Sequence, residues 1–170
     1  DYEKEDFENL VKTASMELSR GKIIGWFQGK SEFGPRALGN RSILANPTLR
    51  DMKEILNKKV KHREAFRPFA PSVIEEEKEK WFDIKIDAPY MILNAGVKQP
   101  DKIPAVTHID NSARIQTVNK HDNLKFHKLL KAFQDISKVP ILLNTSFNDN
   151  EAIVESPKNA INTFLNTKLD

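Results

Sequence analysis

The sequence predicts an α/β fold, a twisted mixed sheet with helices packed on it, and three observations carry the prediction. Two segments with apolar residues at helical spacing, 4–20 and 126–136, each run into a short apolar stretch of strand length. The segment 113–118 alternates apolar and polar residues, as a half-buried strand does. The short strand 140–144, apolar through Leu143, opens into the polar loop Asn144-Thr145-Ser146-Phe147-Asn148, at the strand end where open α/β sheets place ligands.

In chain order, residues 4–20 form a helix with Phe7, Leu10, Val11, Ala14 and Leu18 on one face and Gly21 at its end. Residues 22–27 follow as a buried strand. A glycine-rich loop runs from there through Asn46-Pro47. A second helix over 49–60 turns Met52, Ile55, Leu56 and Val60 inward and carries Lys58 and Lys59 in its last turn, favourable at the negative dipole end. Pro68 and Pro71 impose an extended path into a core strand at 72–74. Residues 75–80 make an exposed helix whose charges form a solvated face. A strand is expected at 90–93 and a loop at 98–104. Strand-like segments at 106–110 and 113–118 are joined by the turn Asp110-Asn111-Ser112. A helix at 126–136 buries Leu129, Leu130 and Phe133. The last helix opens with Ser156 as N-cap and Pro157 as its first residue.

The 170 residues, 39% of them apolar, suit one domain with a sizeable core. No apolar run approaches membrane-spanning length and no signal peptide is visible. The absence of cysteine excludes disulfides and thiolate catalysis, and a cytoplasmic protein is the expectation. A net charge of +3 is too small to argue for nucleic acid by itself. The chain opens at Asp1 and closes in a helix-like pattern, so a piece of a longer protein is expected.

The cations are placed more tellingly than they are numerous. Lys30, Arg36 and Arg41 stand in the glycine-rich loop with Gly29, Gly34 and Gly39. Lys61, Arg63 and Arg67 precede Pro68, and Arg114 stands alone on the alternating strand. Guanidinium forks bind phosphate or carboxylate through paired hydrogen bonds and stay charged when desolvated. Glycines let free backbone N–H groups approach the same anion. Surface pairing with acids is the alternative for any one of these cations, and the glycine-rich loop favours an anion site. Arg114 shares a strand face with Gln116 and Val118, with no acid in that strand to pair with it. Ser146 and Asn148, two apart, face the same way and suit either plain turn chemistry or phosphate oxygens of a nucleotide. His108 with Asp110 has no nucleophile motif beside it, and a structural histidine is the commoner case. His62, His121 and His127 lack metal-ligand spacing, so no metal site is expected in this chain. Trp26, Phe27, Phe66 and Phe69 flank cations and suit base stacking or, more commonly, core packing.

Four segments resemble a known family. They are 29–42, with Gly34-Pro35-Arg36-Ala37-Leu38-Gly39-Asn40-Arg41-Ser42; 63–71, Arg63-Glu64-Ala65-Phe66-Arg67-Pro68-Phe69-Ala70-Pro71; 104–118, with Val106-Thr107-His108-Ile109-Asp110 and Ala113-Arg114-Ile115-Gln116-Thr117-Val118; and 142–148, with Asn144-Thr145-Ser146-Phe147-Asn148. Together they closely resemble the C-terminal domain of NodU/CmcH-type O-carbamoyltransferases, which is similar to the YrdC fold. Lys61-x-Arg63-x-x-x-Arg67-Pro68 and Ser146-x-Asn148 resemble that fold's own elements.

The resemblance implies an ATP-dependent reaction: carbamoyl phosphate and ATP, with Mg2+, give carbamoyl-adenylate and pyrophosphate. The carbamoyl group then passes to a hydroxyl of a sugar or an antibiotic or polysaccharide precursor. It implies Lys61, Arg63, Arg114, Ser146 and Asn148 nearest the reacting groups, with Lys30, Arg36, Arg41, Arg67, Asn144 and Thr145 holding substrate or nucleotide. It also implies a partner N-terminal domain with an actin-like ATPase fold and an iron site, outside this chain. The isolated chain is then not expected to complete the transfer. One departure from the family pattern is 148–154, which keeps Glu151 but lacks the usual glycine and proline. The competing reading is a non-catalytic nucleotide- or RNA-binding module of the same fold, with nucleic acid disfavoured by the modest charge.

Overall fold

The computed structural model describes residues 3–62, 64 and 66–170. Its centre is a six-stranded sheet in the order β1-β2-β6-β3-β5-β4. The strands are β1 (Ile24–Phe27), β2 (Arg41–Ala45), β3 (Ala70–Ile74), β4 (Leu93–Gly96), β5 (Ser112–Val118) and β6 (Ile141–Ser146). β3 and β5 run parallel, and every other pair of neighbours is antiparallel. The helices are α1 (Phe7–Ser19), α2 (Met52–Leu56), α3 (Lys78–Trp81), α4 (Leu124–Ser137) and α5 (Pro157–Asn166). The predicted mixed α/β sheet is present.

Alternation along each strand divides the core in two. Ile43, Val73, Ile115, Ile141 and Leu143 face one side and pack with Met52, Leu56 and Val60. Leu44, Ile74, Val118 and Leu142 face the other side. There they meet Val11, Ala14 and Leu18 of α1 and Phe126, Leu129, Leu130 and Phe133 of α4. This second face is apolar over only half its area. The registers Ser42↔Ser146, Ala70↔Asn144 and Ser72↔Gln116 continue it with a polar patch, to which Arg114, two residues before Gln116, also belongs. α1 and α4 cover the apolar half, and the glycine-rich loop covers the polar half.

The last helix starts as the sequence predicts, at Ser156-Pro157, whereas the first starts at Phe7 rather than at residue 4, behind a cap the sequence reading did not name. Asp6 accepts the Asn9 N–H at 3.0 Å to cap α1, and Ser156 with Asn159 forms a reciprocal capping box in front of Pro157.

Four elements differ from expectation. Residues Arg41–Ala45, expected as loop, form β2, buried end to end between β1 and β6. The flanking glycines and Asn46-Pro47 mask a strand only five residues long. The second helix begins at Met52 and widens into a π-helical turn over Asn57–Lys61, ending at His62 with φ 44°. The wide turn brings Asn57, Val60 and Lys61 onto the buried side together. The strand expected at 90–93 starts only at Leu93, because Met91 adopts a left-handed φ of 54°. The segment 106–110 is not a strand. Pro104, which lacks an N–H, opens a 3-10 turn at Pro104–Val106, and β4 takes the place beside β5.

Candidate anion-binding site

The loop between β1 and β2 is held over the sheet by three sets of polar contacts. The Glu32 carboxylate accepts the N–H groups of Leu38 at 2.6 Å, Asn40 at 2.8 Å and Arg41 at 3.4 Å through one oxygen. The Arg41 guanidinium donates to the carbonyls of Gln28 at 2.8 Å, Gly29 at 3.0 Å and Asn40 at 2.9 Å, and more weakly to Glu155 at 3.3 Å. Its other surface stacks on Phe27, 3.6 Å from the ring centroid. Amides from the sheet supply the third set. Asn144 Nδ2 donates to Ala37 O at 3.2 Å, and Gln116 Nε2 donates to Leu38 O at 2.8 Å. Gly39 closes the loop where φ is 108° and an added Cβ would stand 2.3 Å from the Phe126 ring. These contacts present Arg36 on the inner side of the loop.

Arg36 and Arg114 line one small pocket of about 90 Å³, together with Phe69, Met91, Asn144 and Ser146 among others. Arg114 comes from β5, opposite Asn94 of β4. Its Nε is buried without a hydrogen-bond partner among the described residues. Burial lowers the pKa of its guanidinium, and the charge of Arg36 lowers it further. Among the described residues no carboxylate contributes to that shift, and burial of the Arg114 cation there is not offset by an acid. The pocket floor is fixed by a buried network across three adjacent strands. Asn144 Nδ2 reaches Ser72 Oγ at 2.9 Å and Gln116 Oε1 at 3.0 Å, and Ser72 Oγ donates to Gln116 Oε1 at 2.6 Å. Asn144 is 1% exposed, and its Oδ1 also has no partner among the described residues. Met91 completes the wall in its left-handed conformation, a strained state for a residue with a side chain.

Lys61 braces the neighbouring turn from below. It is only 4% exposed. Its ammonium donates to Ser146 O at 2.7 Å, Asn148 O at 2.8 Å and Asn148 Oδ1 at 2.8 Å, with Ser146 Oγ at 3.3 Å. Ser146 Oγ donates to Asn148 Oδ1 at 2.6 Å, so these two side chains face the same way. Four remote segments therefore meet, carrying Arg36, Lys61, Arg114, and Asn144 through Asn148.

The other sequence candidates are placed differently. Arg41 lies behind the pocket and spends its donors on loop carbonyls. Lys30 is exposed on the loop, and its carbonyl accepts from Asn40 Nδ2 at 2.8 Å. Arg67 is exposed and pairs with Glu64 at 3.1 Å. Thr145 lines the pocket beside Asn144. Arg63 lies outside the described residues. Trp26 and Phe69 are buried, and Phe66 is exposed. His108 and Asp110 share Ser112 as partner, with His108 Nδ1 at 3.2 Å and Asp110 Oδ1 at 2.7 Å from its hydroxyl. Burial lowers the His108 pKa, Asp110 acts against that, and Arg114 and Lys53 add to it.

Glu32, Ser72 and Gln116 belong to this architecture and were not anticipated from the sequence. Gln116 was discoverable, since it stands two residues from Arg114 on the same face. Glu32 looks like any surface acid until the loop is folded. A larger cleft, about 440 Å³ between 149–155 and α5, contains Asp149, Glu151 and Glu155 in its lining and no cation among the described residues, so it is unsuited to an anion.

The family described as Carbamoyltransferase C-terminus matches residues 15–170. Nodulation protein NolNO of Sinorhizobium fredii is 45% identical over 99% of this chain and 26% of its own length. A 3'-hydroxymethylcephem-O-carbamoyltransferase of Amycolatopsis lactamdurans is 43% identical over 78% of this chain and 25% of its own length. The fold is similar to part of full-length HypF, solved in a phosphate- and nucleotide-bound form. The TM-score is 0.59 at 15% identity, covering 96% of this chain and 20% of that one. The chain spans under a third of the length of these curated relatives. Matched over nearly its whole length, the chain belongs to the carbamoyltransferase C-terminal domain family.

Proposed function

We propose that this chain is the substrate-activating part of a cytoplasmic, ATP-dependent O-carbamoyltransferase, and that the pocket between Arg36 and Arg114 takes the phosphate of carbamoyl phosphate. The observation that carries the reading is the pair of guanidiniums on one small pocket, with no acid among the described residues shifting the pKa of Arg114. Two like charges held together in a partly dry site are stabilised by an anion that touches both. In the proposed sequence, water hydrolyses carbamoyl phosphate, its oxygen replacing the bridging bond between the carbamoyl and phosphoryl groups, so that carbamate and inorganic phosphate form and a proton is released. A carbamate oxygen then attacks the α-phosphorus of ATP, and pyrophosphate leaves. The chain's part is to position the reactants and to offset charge that builds on phosphoryl oxygens. Arg36 and Arg114 serve the anion directly, while Lys61 keeps the Ser146–Asn148 turn in shape. Among the described residues no group of three His, Asp or Glu could cage a metal. Mg2+ would enter with the nucleotide and supply positive charge to its phosphate oxygens. The acceptor hydroxyl and the rest of the transfer belong with the further length present in the relatives.

Arg114→Lys tests this reading, since it keeps the charge and loses the planar fork. In the intact protein, pyrophosphate release dependent on carbamoyl phosphate should fall about 10- to 100-fold, with the melting temperature little changed. Unchanged activity, or a variant that fails to fold, would assign Arg114 to the architecture of β5 instead.

A further inference from the structure

We infer that the side-chain carbonyl of Asn144 recognises the carbamoyl NH2 group, and so lets this pocket distinguish carbamoyl phosphate from acyl phosphates that lack an N–H. This rests on the proposed function of the same pocket and adds the element that would select within the substrate class.

The Asn144 amide has two ends with opposite needs. Its Nδ2 is turned toward Ala37 O, Ser72 Oγ and Gln116 Oε1. Ala37 O accepts only, which fixes the amide with its nitrogen on that side. The oxygen is left on the other side of a residue that is 1% exposed, and it has no donor among the described residues. A buried amide oxygen without a donor is costly and uncommon. Arg114, which lines the same pocket, carries a second unmatched buried atom among the described residues, its Nε, which needs an acceptor. A ligand that satisfies both must present an anionic oxygen and a hydrogen-bond donor a few bonds apart. Acetyl phosphate offers the first alone, and inorganic phosphate carries its only donor, an O–H, on the phosphorus itself. Carbamoyl phosphate offers both, with its NH2 standing where acetyl phosphate carries a methyl group. Seating that methyl against Asn144 Oδ1 would leave the buried acceptor unmatched, and sites built to bond an N–H reject such analogues strongly.

The test is a calorimetric comparison of carbamoyl phosphate, acetyl phosphate and inorganic phosphate on the intact protein. Wild type should bind carbamoyl phosphate at least about tenfold more tightly than acetyl phosphate. In Asn144→Ala that preference should shrink to within about threefold. Should that variant fail to fold, the wild-type ratio decides alone, because it needs no substitution. Equal wild-type affinities for the carbamoyl and acetyl compounds would overturn the inference while leaving the anion site standing. Absence of binding by all three would overturn the anion site, and this inference with it.

Discussion

Arg41 and Arg114 are both drawn into the fold, yet they end in different surroundings. Arg41 is matched by four backbone carbonyls and a phenyl ring, so it needs no anion. Arg114 has an unbonded Nε and Arg36 as its charged neighbour. The sequence offers no means of ranking the two, since both are single arginines in strand-like or loop-like polar segments. What separates them is the path of the backbone around each, which is a property of the folded loop. His108 reads the same environment through its pKa. Burial favours its neutral form, and Arg114 and Lys53 add to that. A depressed folded pKa contributes stability that is fully present above the ordinary value of 6.5 and is lost as pH falls toward the folded value. His108→Gln should therefore flatten the loss of thermal stability on acidification from pH 6.5 to about pH 5. Parallel acid profiles for variant and wild type would contradict the assignment.

At the scale of elements, the glycine-rich loop separates what glycine must do from what it merely permits. Gly39 has both a left-handed φ and the Phe126 ring against it, whereas Gly29, at φ 52°, has nothing within 4 Å of a built Cβ. Gly39→Ala should cost about 2–4 kcal/mol, lowering the melting temperature by roughly 5–15 °C, while Gly29→Ala should cost about 1 kcal/mol. Equal effects in a thermal scan would mean the loop can shift off α4. The Lys61 brace gives a second expectation. Lys61→Met removes the shared donor of two backbone carbonyls and Asn148 Oδ1, and should destabilise the protein by about 2–4 kcal/mol. A variant as stable as wild type would show that the turn stands without it.

These elements also mark where the sequence is silent. The start of α5 and the faces of β5 are local properties, set by Ser156-Pro157 and by alternation from Arg114 to Val118, and they are legible. β2 is hidden because Arg41 and Ser42 look like loop residues, and they become strand residues only when β6 supplies the partner. The π-helical turn that buries Lys61 has no local sequence signature, because its wide register is set by packing.

For the molecule as a whole, the decisive feature is the division of one sheet face into an apolar half under α1 and α4 and a polar half under the glycine-rich loop. The proposed anion pocket lies at that polar half, built from segments up to 110 residues apart, from Arg36 to Ser146. Because the relatives are more than three times longer, the isolated chain should bind carbamoyl phosphate or ATP weakly and carbamoylate no added sugar. Robust transfer by the chain alone would refute that division of labour. A nucleic-acid surface would lose affinity steeply with salt as many counterions are released, whereas a single anion site should show a shallow dependence. The most direct measurement is calorimetric titration of the intact protein with carbamoyl phosphate, in wild type, Arg36→Ala and Arg114→Ala. One site per chain is expected, with each substitution weakening binding about tenfold or more while the fold is retained. Wild-type affinity in both folded variants would contradict the assignment of this pocket.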